Sequence, residues 1–338
     1  MKKNITLEKN IHFPVLLNEV ENLCSNIQKG EFLDCTFGGG GYSIRLLNKT
    51  NSKIDAVDRD ENIKFIADEV KKKFPERFRF FNQKFSQIGE TFKNKKFDVI
   101  IFDLGLSSYQ LKDLSRGFSF KSKDKLKMNM GLNDLNLIEV LNSINEKNLK
   151  LIIKVFGEEK EAGNIAKNII KRRAIDKISN TGDLVEIIKK SKKKNFNNKI
   201  DVCTKTFQAL RILINQEVSE LLIGLVEATK LLKTGGKILV ISFHSIEDKI
   251  VKYFFKNFSF DKPNSSRYLP RNNKKNNILF EKFNKVIKPS QKEISLNPPS
   301  RSAKLRYAIR CKNNFEFPND FFESFEKYTN LEDVYAKK

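Results

Sequence analysis

The chain has 338 residues, too many for one small module, so two units or one domain with a large insertion are expected. A hydrophobic fraction of 39% with 29 Phe supplies a sizeable core and excludes a wholly disordered chain. The 64 Lys and Arg against 41 Asp and Glu leave a net charge of +23, which favours a polyanionic partner such as nucleic acid.

The first residues, MKKNITLEKNIHFPVLL, are basic, but their apolar run is too short and too interrupted for a signal peptide. Nowhere does an apolar run reach the roughly 20 residues that span a bilayer. Cys24, Cys35, Cys203 and Cys311 show no C-x-x-C spacing, and His12 and His244 are the only histidines, so no Cys/His metal site is expected. The sequence reads as cytoplasmic and reduced, with no membrane partner.

From Phe32 the chain alternates strand and helix signals. FLDCT (Phe32 to Thr36) runs into a glycine turn, FGGGGYS, and KIDAVDRD (Lys53 to Asp60) follows a short helix. ENIKFIADEVKKKF has helical spacing and stops at Pro75. RFRFFNQKF and KFDVIIFDLG (Lys96 to Gly105) are again strand-like, the latter the most continuous apolar run in the chain. Such alternation predicts a parallel sheet covered on both faces. From about Ser108 to Cys203 only helical segments are predicted, one of them with Thr181 as N-cap. A Lys/Asn-rich hinge, Ser191 to Lys199, closes this block. One long helix is then predicted from about Thr206 to Leu232, and a strand at KILVISFHS. Beyond a polar, loop-like stretch from Asp261 to Asn277, two last strands are expected at FNKVIKP and SAKLRYAIRC. The predicted division is therefore 1–107 with 204–338 as one discontinuous α/β domain, and 108–203 as an all-helical insertion.

The turn Gly38-Gly39-Gly40-Gly41, between a strand and a helix, lets backbone approach a ligand closely. Asp58 ends the next strand about 20 residues on, where an acid can accept from a ribose diol. A dinucleotide fingerprint is excluded because Gly38 leads to Ser43 and Gly39 to Ile44, and no Gly-Lys-Ser/Thr of a P-loop follows. What remains, Asp34-x-Thr36-x-Gly38-x-Gly40-Gly41, is similar to the S-adenosylmethionine loop of class I methyltransferases. The fourth strand would then deliver Asp103-Leu-Gly-Leu-Ser-Ser to the reacting methyl group. Asn297-Pro-Pro-Ser300 lies after the sheet, lacks the aromatic of an amino-methyltransferase motif, and reads as a turn.

A series of segments in register extends this likeness. HFPVLLNEV, FLDCTFGGGGYS, AVDRD, FDLGLSSYQL…RGFSF, TFQALRILIN, GGKILVISFHSIEDKIVK and NPPSRSAKLR resemble the RsmH/MraW family of bacterial 16S rRNA cytidine N4-methyltransferases, in order from His12 to about Arg310. The resemblance implies a class I, Rossmann-like methyltransferase sheet with an inserted helical domain. It implies S-adenosyl-L-methionine as cofactor and a cytidine in the decoding region of 16S rRNA, in the small subunit or its precursor, as substrate. It places cofactor contacts on Gly40, Gly41, Tyr42, Asp58, Phe85, Asp103 and Gln110. Asp103 is the expected catalytic group at the amine, His244 the next, with Glu247 beside it; Arg211, Arg301, Lys304 and Arg306 are candidate RNA contacts. The chain departs from the family at Tyr42, where His is usual, at Leu126-Lys-Met-Asn-Met-Gly131, and at Asp201-Val-Cys-Thr-Lys. The competing expectations are a non-catalytic basic RNA-binding protein with a degenerate methyltransferase fold, which would not bind the cofactor, and a DNA amino-methyltransferase.

Overall fold

The computed structural model describes residues 14–133, 135–192, 201–260 and 277–336. By packing, the chain divides into two compact units, Met1–Gly105 with Leu221–Phe321, and Leu106–Glu220 with Phe322–Lys338.

The first unit is built on seven strands: β1 (Glu31–Asp34), β2 (Lys53–Asp58), β3 (Phe78–Asn82), β4 (Phe97–Asp103), β5 (Leu232–Ser242), β6 (Phe280–Phe283) and β7 (Lys304–Arg310). Their order is β3-β2-β1-β4-β5-β7-β6, and the first five run parallel. β7 is antiparallel to both of its neighbours. β4 shows why no alternation is seen in the sequence: Phe97, Val99, Ile100, Ile101 and Phe102 are all buried, because helices cover both faces. The helix Lys64–Lys73 turns Ile66, Ala67 and Val70 inward at helical spacing. Chain order reverses between β1 and β4, so the loops leaving their carboxyl ends diverge and open a crevice. Cys35 N–H donates to the Ile101 carbonyl at 2.9 Å, which zips the two strands up to that crevice.

Two predicted elements end differently. The last two strands were expected at FNKVIKP and SAKLRYAIRC. The second is β7, but β6 sits earlier, at Phe280–Phe283: Asn284 N–H still donates to the Tyr307 carbonyl at 3.1 Å, while its side chain takes the place of its carbonyl in accepting the Tyr307 N–H at 2.6 Å. Beyond it only Ile287 bridges to Leu305. The long helix predicted from Thr206 to Leu232 is two, Thr204–Asn215 and Glu217–Leu231, broken by Gln216 in the left-handed region (φ 50°). Apolar periodicity cannot register one such residue. The stretch from Asp261 to Asn277 lies outside the described residues except for Asn277, as does most of the hinge near Ser191.

The second unit is helical, and among its described residues the one strand-like pairing is the bridge Lys125–Asn180. Asparagines start three of its described helices: the side chains of Asn136, Asn145 and Asn180 accept from Ile138, Asn148 and Asp183 N–H. Asn180, not the predicted Thr181, is thus the cap, since the Thr181 hydroxyl donates to the Asp124 carbonyl instead. The sequence reading ended the insertion at Cys203, whereas the packing carries this unit on to Glu220 and adds the C-terminal residues from Phe322. Glu332 explains the addition: its carboxylate is buried and accepts from Val218 N–H, Ser219 N–H and the Ser219 hydroxyl. No local pattern announces a bond across 114 positions. In the departing segment Leu126, Met128 and Met130 are buried while Lys127 is exposed, so the replaced residues are the outward ones.

Candidate cofactor site

The crevice is floored by the loop from β1 to the helix Gly41–Lys49. Gly38 and Gly40 have φ of 49° and 73°, a conformation in which a side chain would be strained. A Cβ on Gly40 would also lie 2.8 Å from the Phe37 ring. Gly41 has a different reason: a Cβ there would meet Pro14 Cγ at 2.1 Å, so its smallness seats the N-terminal segment. Gly38 N–H donates to Asp58 Oδ2 at 2.8 Å, and Asp60 N–H to Asp58 Oδ1 at 2.9 Å. Asp58 therefore ties the glycine loop to the end of β2, and each oxygen keeps a lone pair for a further donor.

Four carboxylates gather at the strand ends. Asp34 is buried at the end of β1, accepting from the Ser43 hydroxyl (2.6 Å) and from Thr36 N–H (3.2 Å). Burial lifts its pKa to about 6 against these bonds. Asp58 is likewise raised to about 6, by burial first and then by repulsion from Asp60 and Asp34. Asp103 ends β4, its backbone N–H fixed by Thr36 Oγ1 at 2.6 Å. Burial pushes its carboxyl well above the usual range, and Asp34 and Glu247 add repulsion. The Tyr42 hydroxyl opposes this rise, but its single proton is contested by the Val15 carbonyl 2.5 Å away. Asp103 Oδ1 is buried with no hydrogen-bond partner among the described residues. Such an oxygen costs free energy until a donor meets it. Glu247 accepts from Phe243 and His244 N–H at 2.8 and 3.2 Å. Mutually repelling acids with one orphaned oxygen suit a ligand that brings positive charge and N–H donors.

Phe85 follows β3 and packs edge-on against Phe102, with centroids 5.4 Å apart. Its ring lies where a Cβ on Gly224 would come within 2.6 Å of Cδ2. Gly224→Ala is thus expected to displace the Phe85 ring and destabilise the protein by about 1–3 kcal/mol, as over-packing does. Weakened cofactor binding checks the first effect, and thermal denaturation the second.

The remaining predicted residues are placed as follows. His244 caps the helix Ser245–Asn257, with Nδ1 3.5 Å from Glu247 N and Nε2 3.0 Å from Glu247 Oε1. Gln110 belongs to the second unit, buried in a capping box with Ser107. Arg211 forms a two-pronged pair with Glu217 at 2.7 and 2.8 Å. Lys304 and Arg306 both reach Asp248 at 2.8 Å. Arg301 is exposed, in the 3₁₀ turn Pro298–Ser302 that the Asn297-Pro-Pro-Ser300 turn becomes. The second unit also carries three consecutive cations, of which Arg172 pairs with Asp176, Arg173 donates to the Leu141 carbonyl and Lys171 is exposed.

Two contributors have no role in the sequence reading. Thr36 holds Asp103, and its signal was the D-x-T spacing, which puts a hydroxyl one step past a strand-end acid. Asp248 claims Lys304 and Arg306 across 56 and 58 positions, and nothing local betrays that.

The sequence profile of the MraW methylase family matches residues 9–311. The chain is 39% identical over 310 residues to ribosomal RNA small subunit methyltransferase H of Ehrlichia ruminantium (strain Welgevonden), covering 88% of this chain and 99% of that protein. It is 42% identical over 304 residues to the protein of the same description in Rickettsia canadensis (strain McKiel), covering 88% and 97%.

Proposed function

The chain belongs to the MraW methylase family, and from that premise we propose that it moves a methyl group from S-adenosyl-L-methionine to the exocyclic N4 of a cytidine in the decoding region of 16S rRNA. The observation that carries the reading is the orphaned oxygen of Asp103 among the strand-end acids. When bound, the cofactor supplies an electrophilic methyl on a sulfonium. The residues present fit it: Asp58 offers lone pairs to ribose hydroxyls, the glycine turn leaves backbone bare, and Phe85 offers an apolar ring.

The cytidine amine is a weak nucleophile because its lone pair is conjugated with the ring. Holding it in line with the methyl and accepting its proton are the two tasks left to the protein. Asp103 Oδ1 is the acceptor, aimed from the rigid end of β4 and fixed through Thr36. His244, just past the end of the neighbouring β5, is oriented by Glu247. The target base leaves its stack to reach such a crevice. Recognition of the surrounding 16S rRNA, in the small subunit or its precursor, falls to the helical unit and to exposed cations such as Lys171 and Arg301. Among the described residues no helix is long and apolar enough to cross a membrane, and the cytoplasm, where ribosomal subunits are assembled, is part of the same proposal.

Titration calorimetry with S-adenosylmethionine tests the first step. Asp34 and Asp58 titrate near 6 in the unliganded fold, so both are ionised at pH 7.5 and largely protonated at pH 5.5. A cationic ligand favours the ionised forms, so affinity is expected to rise over that interval, and Asp58→Asn to flatten the rise. Absence of binding at either pH contradicts the reading and leaves a degenerate fold.

A further inference from the structure

The parallel strands carry the cofactor crevice at their carboxyl ends. At the opposite end of the sheet the same unit holds a second concavity, of about 400 Å³. Lys96 enters it just before β4, Lys230 and Lys233 at the start of β5, Arg310 at the end of β7, and Lys312 and Phe315 from the segment that follows. Asp98 and Glu227 are the acids paired there, with Lys233 (2.7 Å) and Lys230 (2.5 Å), so five cations face two carboxylates. Arg310 is buried and donates to the carbonyls of Leu279, Cys311 and Asn313, which makes it part of the wall. Lys96, Lys233 and Lys312 are exposed at the rim. Two aromatic rings adjoin them: Lys230 Nζ lies 5.4 Å from the Phe315 centroid and 5.6 Å from that of Phe317, which is half exposed.

Scattered lysines solvate a surface; these converge on one hollow beside the half-exposed Phe317 ring and the partly buried Phe315 ring. Cations that track phosphates next to rings on which bases stack are what single-stranded RNA requires. We infer that this concavity is a second RNA-binding surface, which holds an unpaired stretch of the rRNA substrate away from the target cytidine. The inference rests on the RNA reading above. β4 has seven residues, roughly 20 Å at about 3.3 Å per residue, which separates the two sites. The surface therefore acts on affinity for large RNA and leaves cofactor binding alone.

The test compares the full chain with Lys96→Gln/Lys233→Gln/Lys312→Gln, and with Lys233→Gln/Lys312→Gln, which keeps the Lys96 bond to the Lys230 carbonyl (2.5 Å). Binding to 16S rRNA and to small-subunit particles is read at several salt concentrations, and S-adenosylmethionine affinity by calorimetry. The triple variant is expected to lose about tenfold or more in RNA affinity at low salt. Its logarithmic salt slope should fall by about 2, since each lost phosphate contact removes roughly 0.7–0.9. The double variant should show about two thirds of that change, with cofactor affinity unchanged in both. Unaltered affinity and slope in both variants overturn the inference while leaving the rRNA reading intact. Parent protein that binds anionic vesicles or acidic polypeptides but no RNA overturns both.

Discussion

Asp103→Asn is expected to lower methyl transfer to small-subunit particles by about 10²–10⁴-fold, the range of a positioned proton acceptor. The substitution keeps side-chain volume, and the Thr36 contact survives because it is made to the Asp103 backbone N–H. What disappears is the carboxylate whose Oδ1 has no partner in the unliganded protein. Stability supplies the control. A carboxyl whose folded pKa is raised contributes stability below its ordinary pKa of 3.8 and loses it as pH rises toward the folded value. Removing such a group should leave the unliganded protein at pH 7.5 as stable as the parent or more so. A variant that transfers at the parent rate, or loses activity only because it unfolds, contradicts the role assigned to Asp103.

Asp58→Ala is expected to weaken S-adenosylmethionine binding by about one to two decades, from the loss of charge-assisted hydrogen bonds worth roughly 1.5–3 kcal/mol. Part of this loss is indirect. Asp58 also holds Gly38 N–H at 2.8 Å, so its removal frees the turn that shapes the crevice floor. Asp58→Asn retains one carbonyl acceptor for that N–H and should fall between the parent and the Ala variant. Calorimetry separates the three. Equal affinity in folded Asp58→Ala would show that the ribose is held elsewhere.

What the sequence made legible follows the range of each signal. β4 could be read because four consecutive buried apolar residues, Val99 to Phe102, need no partner to be recognised. The glycine turn and Asp58 could be read because strand, turn and acid lie within one βαβ unit, and the structure joins them directly. Pairings over long separations could not be read. Arg306 and Lys304 resemble RNA contacts in sequence, and in the fold both meet Asp248. A charge on a string has no visible counter-ion. The break at Gln216 escaped for another reason, since a single left-handed residue leaves the apolar period on either side undisturbed. Gly41 shows a third case: its position in the motif points to a ligand, and nothing in the motif announces that its missing Cβ also makes room for Pro14.

The most direct measurement incubates the protein with small-subunit particles lacking the modification and S-adenosylmethionine labelled in its methyl group, then digests the rRNA to nucleosides for mass analysis. The expected result is label in N4-methylcytidine, absent when Asp103→Asn replaces the parent. Label on a ring carbon or a ribose oxygen, or none despite measurable cofactor binding, would contradict the assignment of Asp103 to an exocyclic amine.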